Sequence, residues 1–110
     1  MNEEELTKIR RKIELAIIKQ LKEKQVYKFA HYQDLVNDYM KFWDFKNMLQ
    51  EDIEERGVSV YWQNSETQHG YKKNDSISEL LKVNTQMLKI LFDLVVRASD
   101  LEVDDEDEEL

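Results

Sequence analysis

The stretch HYQDLVNDYMKFWDFKNMLQEDIEERGVSVYW, residues 31–62, decides how the chain folds, because the spacing of its apolar residues changes at Gly57. Before that glycine, Tyr32, Leu35, Val36, Tyr39, Phe42, Trp43, Leu49 and Ile53 recur on one broad, aromatic-rich face, which predicts a helix over 31–56. Gly57 stands where a left-handed C-cap belongs. After it, Val58, Val60 and Trp62 alternate with Ser59, Tyr61 and Gln63, a period of two that predicts a strand.

Working outward, the polar run 64–70 reads as a turn and Tyr71 to Lys73 as the returning strand of a β-hairpin. On the N-terminal side, Leu6, Ile9, Ile13, Ala16, Ile17 and Leu21 form the stripe of a first helix over 3–25, with Glu3, Glu4 and Glu5 at its positive end. On the C-terminal side, Ser76 and Glu79 have capping-box spacing ahead of an apolar third helix over 76–98. The expected fold is therefore mainly α: three long helices with a small hairpin between the second and third. The expected organisation is a helical oligomerisation and DNA-binding domain over 1–99 and an acidic disordered tail over 100–110.

Composition narrows the function. The chain has no Cys, no Pro and two Gly among 110 residues. That leaves no disulfide framework, no thiolate metal site and no Gly-rich phosphate cradle. Without a long apolar run, no membrane partner is expected and the cytosol is the expected setting. The net charge of −8 is unevenly placed. The last eleven residues hold eight acids (Asp100, Glu102, Asp104, Asp105, Glu106, Asp107, Glu108, Glu109) and no base, so the remainder is neutral. Within that neutral body, residues 8–28 carry +6 from Lys8, Arg10, Arg11, Lys12, Lys19, Lys22, Lys24 and Lys28 against Glu14 and Glu23.

The third helix has apolar residues on more than one stripe: Leu80, Leu81, Val83, Met87, Leu88, Ile90, Leu91, Phe92, Leu94 and Val95. Three modest helices cannot hide that much surface, and pairing with identical copies is the usual remedy. A homo-oligomer is expected on these grounds alone.

The order of these pieces is similar to the phage terminase small subunits of the short helical type. The similarity lies in the helix YQDLVNDYMKFWDFKNMLQEDIEERGVSV, the loop QNSETQHGYKKNDS, the helix SELLKVNTQMLKILFDL and the acidic C-terminus. The resemblance implies a ring of identical subunits in the cytoplasm of an infected bacterium. Such a ring binds double-stranded viral DNA at the packaging site and recruits the large terminase subunit, which holds the ATPase and nuclease. Many members carry a separate N-terminal helix-turn-helix domain, for which this chain has room only for its first helix.

The residues that would do this work follow. Lys8, Arg10, Arg11, Lys12, Lys19, Lys22, Lys24 and Lys28 are candidate phosphate contacts, or else a solvated helix face. Lys72 and Lys73, beside Tyr61 and Trp62, are further DNA candidates, or else part of a hairpin that pairs with a neighbour or caps the core. Tyr39, Phe42, Trp43, Leu49, Leu88, Leu91 and Val95 are candidate subunit contacts. Asn84 is either a buried polar residue fixing helix register or an exposed one at the stripe's edge. In the tail, Leu101, Val103 and Leu110 suit a peptide that orders on a partner. Glu51, Asp52, Glu54 and Glu55 read as a solvated helix end in preference to a metal site. His31 and His69 have no nucleophile or second ligand at a useful spacing. No catalytic residue, metal or cofactor is expected. A rival reading keeps the oligomer without DNA: a helical adaptor or regulatory protein that binds a basic protein partner.

Overall fold

The computed structural model describes residues 2–97. The expected acidic tail, with Leu101, Val103 and Leu110, lies outside the described residues.

Helix α1 runs Glu3–Glu23, α2 Ala30–Arg56, β1 Ser59–Gln63, β2 His69–Lys73 and α3 Asp75–Phe92, continued by a π-helical turn Asp93–Arg97. The mainly helical fold with one hairpin between the second and third helices is as expected; its boundaries shift by one or two residues at several places, and α3 gives way to the π-helical turn after Phe92.

Asn2 caps α1 by accepting from the Glu5 amide at 2.8 Å. The helix ends in a Schellman motif. Val26 N–H donates to Leu21 O at 3.0 Å, Gln25 N–H donates to Lys22 O at 3.0 Å, and Gln25 takes the left-handed position with φ +62. Leu21 and Val26, the pair whose contact accompanies such a motif, are both buried in the core. The turn thus reverses the chain and seals its own corner, so α1 stops two residues earlier than its apolar stripe predicts.

At the far end of α2, Gly57 has φ +81 and ψ −176, an extended conformation on the positive-φ side that is open essentially to glycine alone. The stop signal read from sequence holds, though the conformation is not the left-handed helical one. The hairpin pairs Ser59 with Lys73, Tyr61 with Tyr71 and Gln63 with His69. The returning strand therefore begins at His69, two residues before the expected Tyr71, because the ladder extends further into the polar run. Gly70 sits beneath the Trp62 indole, where a Cβ would stand 3.4 Å from Nε1.

The start of α3 overturns the capping-box reading. Asn74, and not Ser76, is the N-cap: its Oδ1 accepts from the Ser76 amide at 2.9 Å. Ser76 instead turns its hydroxyl away and donates to Asp52 at 2.6 Å. Asn74 is 0% exposed and uses its whole side chain. Nδ2 donates to Asp52 at 3.2 Å and to Gly57 O at 2.9 Å, while Oδ1 also accepts from Arg56 at 3.1 Å. Arg56 grips Asp52 through two bonds of 2.6 and 2.8 Å. The end of α2, the root of the hairpin and the start of α3 are thus tied into one polar clasp.

Bonds from Arg56, Ser76 and Asn74 hold the Asp52 carboxyl well below the usual carboxylate range. A depressed folded-state pKa contributes stability that is fully present above the unfolded value, about 3.9, and is lost as pH falls below it. Thermal midpoints of the wild-type chain and Asp52→Asn should therefore differ at neutral pH and converge as the solution is acidified below about pH 4. Parallel curves down to the acid limit would exclude the clasp as the source.

The helices bury two adjoining patches. Ile17, Leu21, Val26, Tyr32, Val36 and Leu94 form one; Met40, Trp43 and Met87 form the other, with Leu6, Ile13, Tyr39, Phe42 and Val83 against it. Contacts such as Met40 with Met87 and Arg10 with Asp44 show α1 and α3 each lying along α2 in the opposite direction to it. The π-helical turn admits an extra residue per turn. Leu94 accordingly reaches the core at 0% exposure while Val96 stays outside.

Candidate functional site

Among the described residues, two long helix faces are left uncovered, and they differ in chemistry. The first lies on α1. With Ile13, Ile17 and Leu21 turned to the core, Lys8, Lys12, Leu15, Lys19 and Lys22 fall on the opposite side at spacings of four, three, four and three, and all five are exposed. Lys8 pairs at 3.8 Å with Glu4, and Lys22 lies 5.5 Å from the Tyr27 ring centre. Lys12 and Lys19 have no ion-pair partner among the described residues.

The other bases of this run are used differently. Arg10 points inward to α2, where its Nε and NH2 donate to Asp44 at 2.8 and 3.1 Å. That contact raises the Arg10 pKa, chiefly through the hydrogen bond from its own guanidinium to Asp44. A bidentate, partly buried pair holds two helices together, which makes Arg10 a positioning residue here in place of a free phosphate contact. Arg11 pairs with Glu14 on its own helix. Lys24 donates to Val95 O at 2.7 Å, tying the end of α1 to the π-helical turn. Lys28 lies 5.5 Å from the Phe29 ring centre. Of the eight bases, four therefore converge on one solvent-facing stripe.

The second face lies on α3. Leu81, Leu88, Phe92 and Val96 are exposed, Leu81 by 62% and Leu88 by 60%. Asn84 and Thr85 lie between them, and a shallow apolar groove is lined by Leu88, Leu91, Phe92, Val95 and Val96. Leu81, Asn84, Leu88 and Leu91 repeat at three and four residues, the spacing of a helix-pairing seam. Asn84 is exposed within that seam. A smaller apolar exposure sits on α2, where Phe45 and Met48 (65% exposed) face outward and the Phe45 ring meets Phe42 edge-on at 6.1 Å.

The expected contact residues divide accordingly. Leu88 is open and Leu91 half-buried, whereas Val95 packs partly against the core. Tyr39, Phe42 and Leu49 are half-buried, the first two against the core patches. Trp43, expected at a subunit contact, is instead buried inside one chain against Met40 and Met87, because it lies on the side of α2 that both other helices cover. Sequence spacing placed it on the apolar face correctly; which helix would cover that face was not in the spacing.

Among the described residues, none of the hairpin belongs to either core patch. Tyr61, His69 and Tyr71 share one of its faces with Lys73; the ring centres of His69 and Tyr71 lie 6.0 and 5.5 Å from that of Tyr61, and Tyr71 is 75% exposed. Lys72 lies on the other face and pairs at 3.9 Å with Asp75. Asp52, drawn into the clasp with Asn74, leaves the acidic group of Glu51, Glu54 and Glu55 at the helix end. His31 stacks on Phe29 and meets the Tyr32 ring at a tilt. Among the described residues, no helix is long and apolar enough to cross a membrane. No protein family, curated protein or solved structure matches this chain.

Proposed function

We propose that the chain is the small subunit of a viral DNA-packaging machine. Copies close into a ring, hold double-stranded DNA through the lysine stripe of α1, and recruit the large terminase subunit, the ATPase and nuclease of the same machine, in the cytoplasm of the infected bacterium. The observation that carries this reading is the coexistence of two uncovered faces on one small bundle: apolar on α3 and basic on α1. The order of helix, hairpin, helix and acidic end, with its likeness to short terminase small subunits, adds support.

Covering Leu81, Leu88, Phe92 and Val96 contributes on the order of 1 kcal/mol for each half-exposed side chain. Association itself costs an estimated 4 kcal/mol or more, so one such contact is marginal. The apolar stripe of α3 and the Phe45–Met48 patch of α2 are different surfaces. A contact between unlike surfaces repeats from copy to copy, and when the rotation closes it gives every copy two contacts instead of one. The lysines of each copy then act on the same DNA, and weak individual contacts add.

Two measurements test this. Light scattering of the intact chain should give a mass well above a dimer; a monomer at high concentration would remove the mechanism. Retention of duplex DNA should fall steeply with salt, with each phosphate neutralised contributing about −0.9 to the slope of log affinity against log salt. Lys12→Gln combined with Lys19→Gln should flatten that slope and leave the thermal midpoint in place. Arg10→Gln should do the reverse: it removes a half-exposed bond between helices, lowering stability by roughly 0.5–1 kcal/mol, and leaves DNA retention nearly intact. Equal loss of DNA in both variants would rule out the stripe as the contact surface.

A further inference from the structure

We propose that residues 98–110 dock on the outer face of α1 of their own chain, where their acids occupy the lysine stripe in place of DNA. Three observations meet at this surface. The first is where the described chain ends. The π-helical turn finishes at Arg97 beside the C-terminal end of α1, and Lys24, the C-cap of α1, donates to Val95 O across that junction at 2.7 Å. The remaining residues therefore start next to one end of the stripe.

The second is length. From Lys22 back to Lys8 is fourteen residues of helix, about 21 Å. The thirteen residues beyond Arg97 span up to roughly 45 Å when extended. The segment is long enough to run the whole stripe with slack.

The third is chemistry in register. Leu15 is an exposed leucine set among Lys12, Lys19 and Lys22. It lies nine residues, about 13 Å, from Lys24 along the helix. Leu101 and Val103 come four and six residues after Arg97, a reach of roughly 13–20 Å. Val103 is thus within reach of Leu15, with Leu101 on the approach to it, and Asp100, Glu102, Asp104 and Asp105 fall within reach of the lysines. An acidic segment with two apolar residues thus matches a basic face with one. Charge attraction supplies a salt-sensitive hold, and the Leu15 contact gives it a register.

The docking rests on the charges and the geometry; only its consequence, competition with DNA, rests on the packaging reading. The test treats the two separately. Zero-length carbodiimide coupling of the full chain at low salt, mapped by mass spectrometry, should join the tail carboxylates mainly to Lys12, Lys19 and Lys22. The yield should drop in high salt and drop several-fold again in Leu101→Ser with Val103→Ser. Assemblies mixed from light and heavy isotopic chains should show these links within one isotopic form. Coupling spread evenly to Lys41, Lys46, Lys82 and Lys89, links between isotopic forms, or a yield indifferent to the two serines would each overturn the docking. Competition is read on the full chain with its eight acids replaced by their amides, which should retain a duplex of 30 base pairs about tenfold more tightly at low salt. Unchanged retention alongside the mapped links would overturn the competition. If neither form retains DNA, the packaging function fails and the coupling map still decides the docking.

Discussion

Leu88→Lys is expected to break the assembly into single copies, read as a fall in light-scattering mass, while the helical content and thermal midpoint of each copy stay close to wild type. Leu88 is 60% exposed and touches neither core patch, so the bundle loses little when it changes. Lysine also serves a helix interior about as well as leucine does. The effect falls on the contact between copies. There the substitution removes an apolar side chain from the middle of the Leu81–Phe92 stripe and asks an ammonium group to leave water without a partner, at several kcal/mol. Against contacts already marginal one at a time, a loss of that size lowers the association constant by a hundredfold or more. Leu88→Met, which keeps the volume and the apolar surface, should assemble normally. A Leu88→Lys protein with unchanged mass would show that the copies meet through another face.

The second large effect is expected at Asn74. Removing its side chain by Asn74→Ala takes away the N-cap of α3, about 1 kcal/mol, and leaves the half-buried Gly57 carbonyl and Asp52 carboxylate each short of one donor, at about 1–3 kcal/mol more. A total of about 2–4 kcal/mol is a large share of the stability of a domain this size, and the thermal midpoint should fall by roughly 10–20 °C. Asn74→Asp separates the two roles. Aspartate caps helices as well as asparagine does. If the cap were the only contribution, that variant would be neutral. The clasp predicts a loss instead, because aspartate cannot donate to Gly57 O and sets a second carboxylate beside Asp52. A neutral Asn74→Asp would reduce Asn74 to an ordinary cap. Calorimetry at pH 7 distinguishes the outcomes.

Much of this molecule was legible from local spacing. Leu6 to Leu21, Tyr32 to Ile53 and Leu80 to Leu94 each repeat at three and four residues, Val58 to Trp62 repeats at two, and Gly57 marks the change; all of these are properties of one segment of backbone. The Asn74 cap was missed because Ser76 and Glu79 offered a good local alternative. What decided between them was Asp52, twenty-four residues from Ser76 and close to it only after folding. Arg10 was missed as a tie between helices for the same reason. Arg10, Arg11 and Lys12 fan around α1, and Arg10, three residues before Ile13, falls on the side of the apolar stripe while Lys12 falls away from it; what spacing does not show is that Asp44 of α2 stands there to receive the guanidinium.

Three rods, a hairpin and an uneven placement of charge follow from the order of residues, since backbone geometry and side-chain period act within a few residues. Tertiary structure alone decided which apolar residues were spent inside and which were left over: Trp43 went to the core and Leu88 stayed out. That sorting depends on which faces meet when α1 and α3 lie down on α2, and the direction of approach between helices is not encoded in the spacing along any one of them.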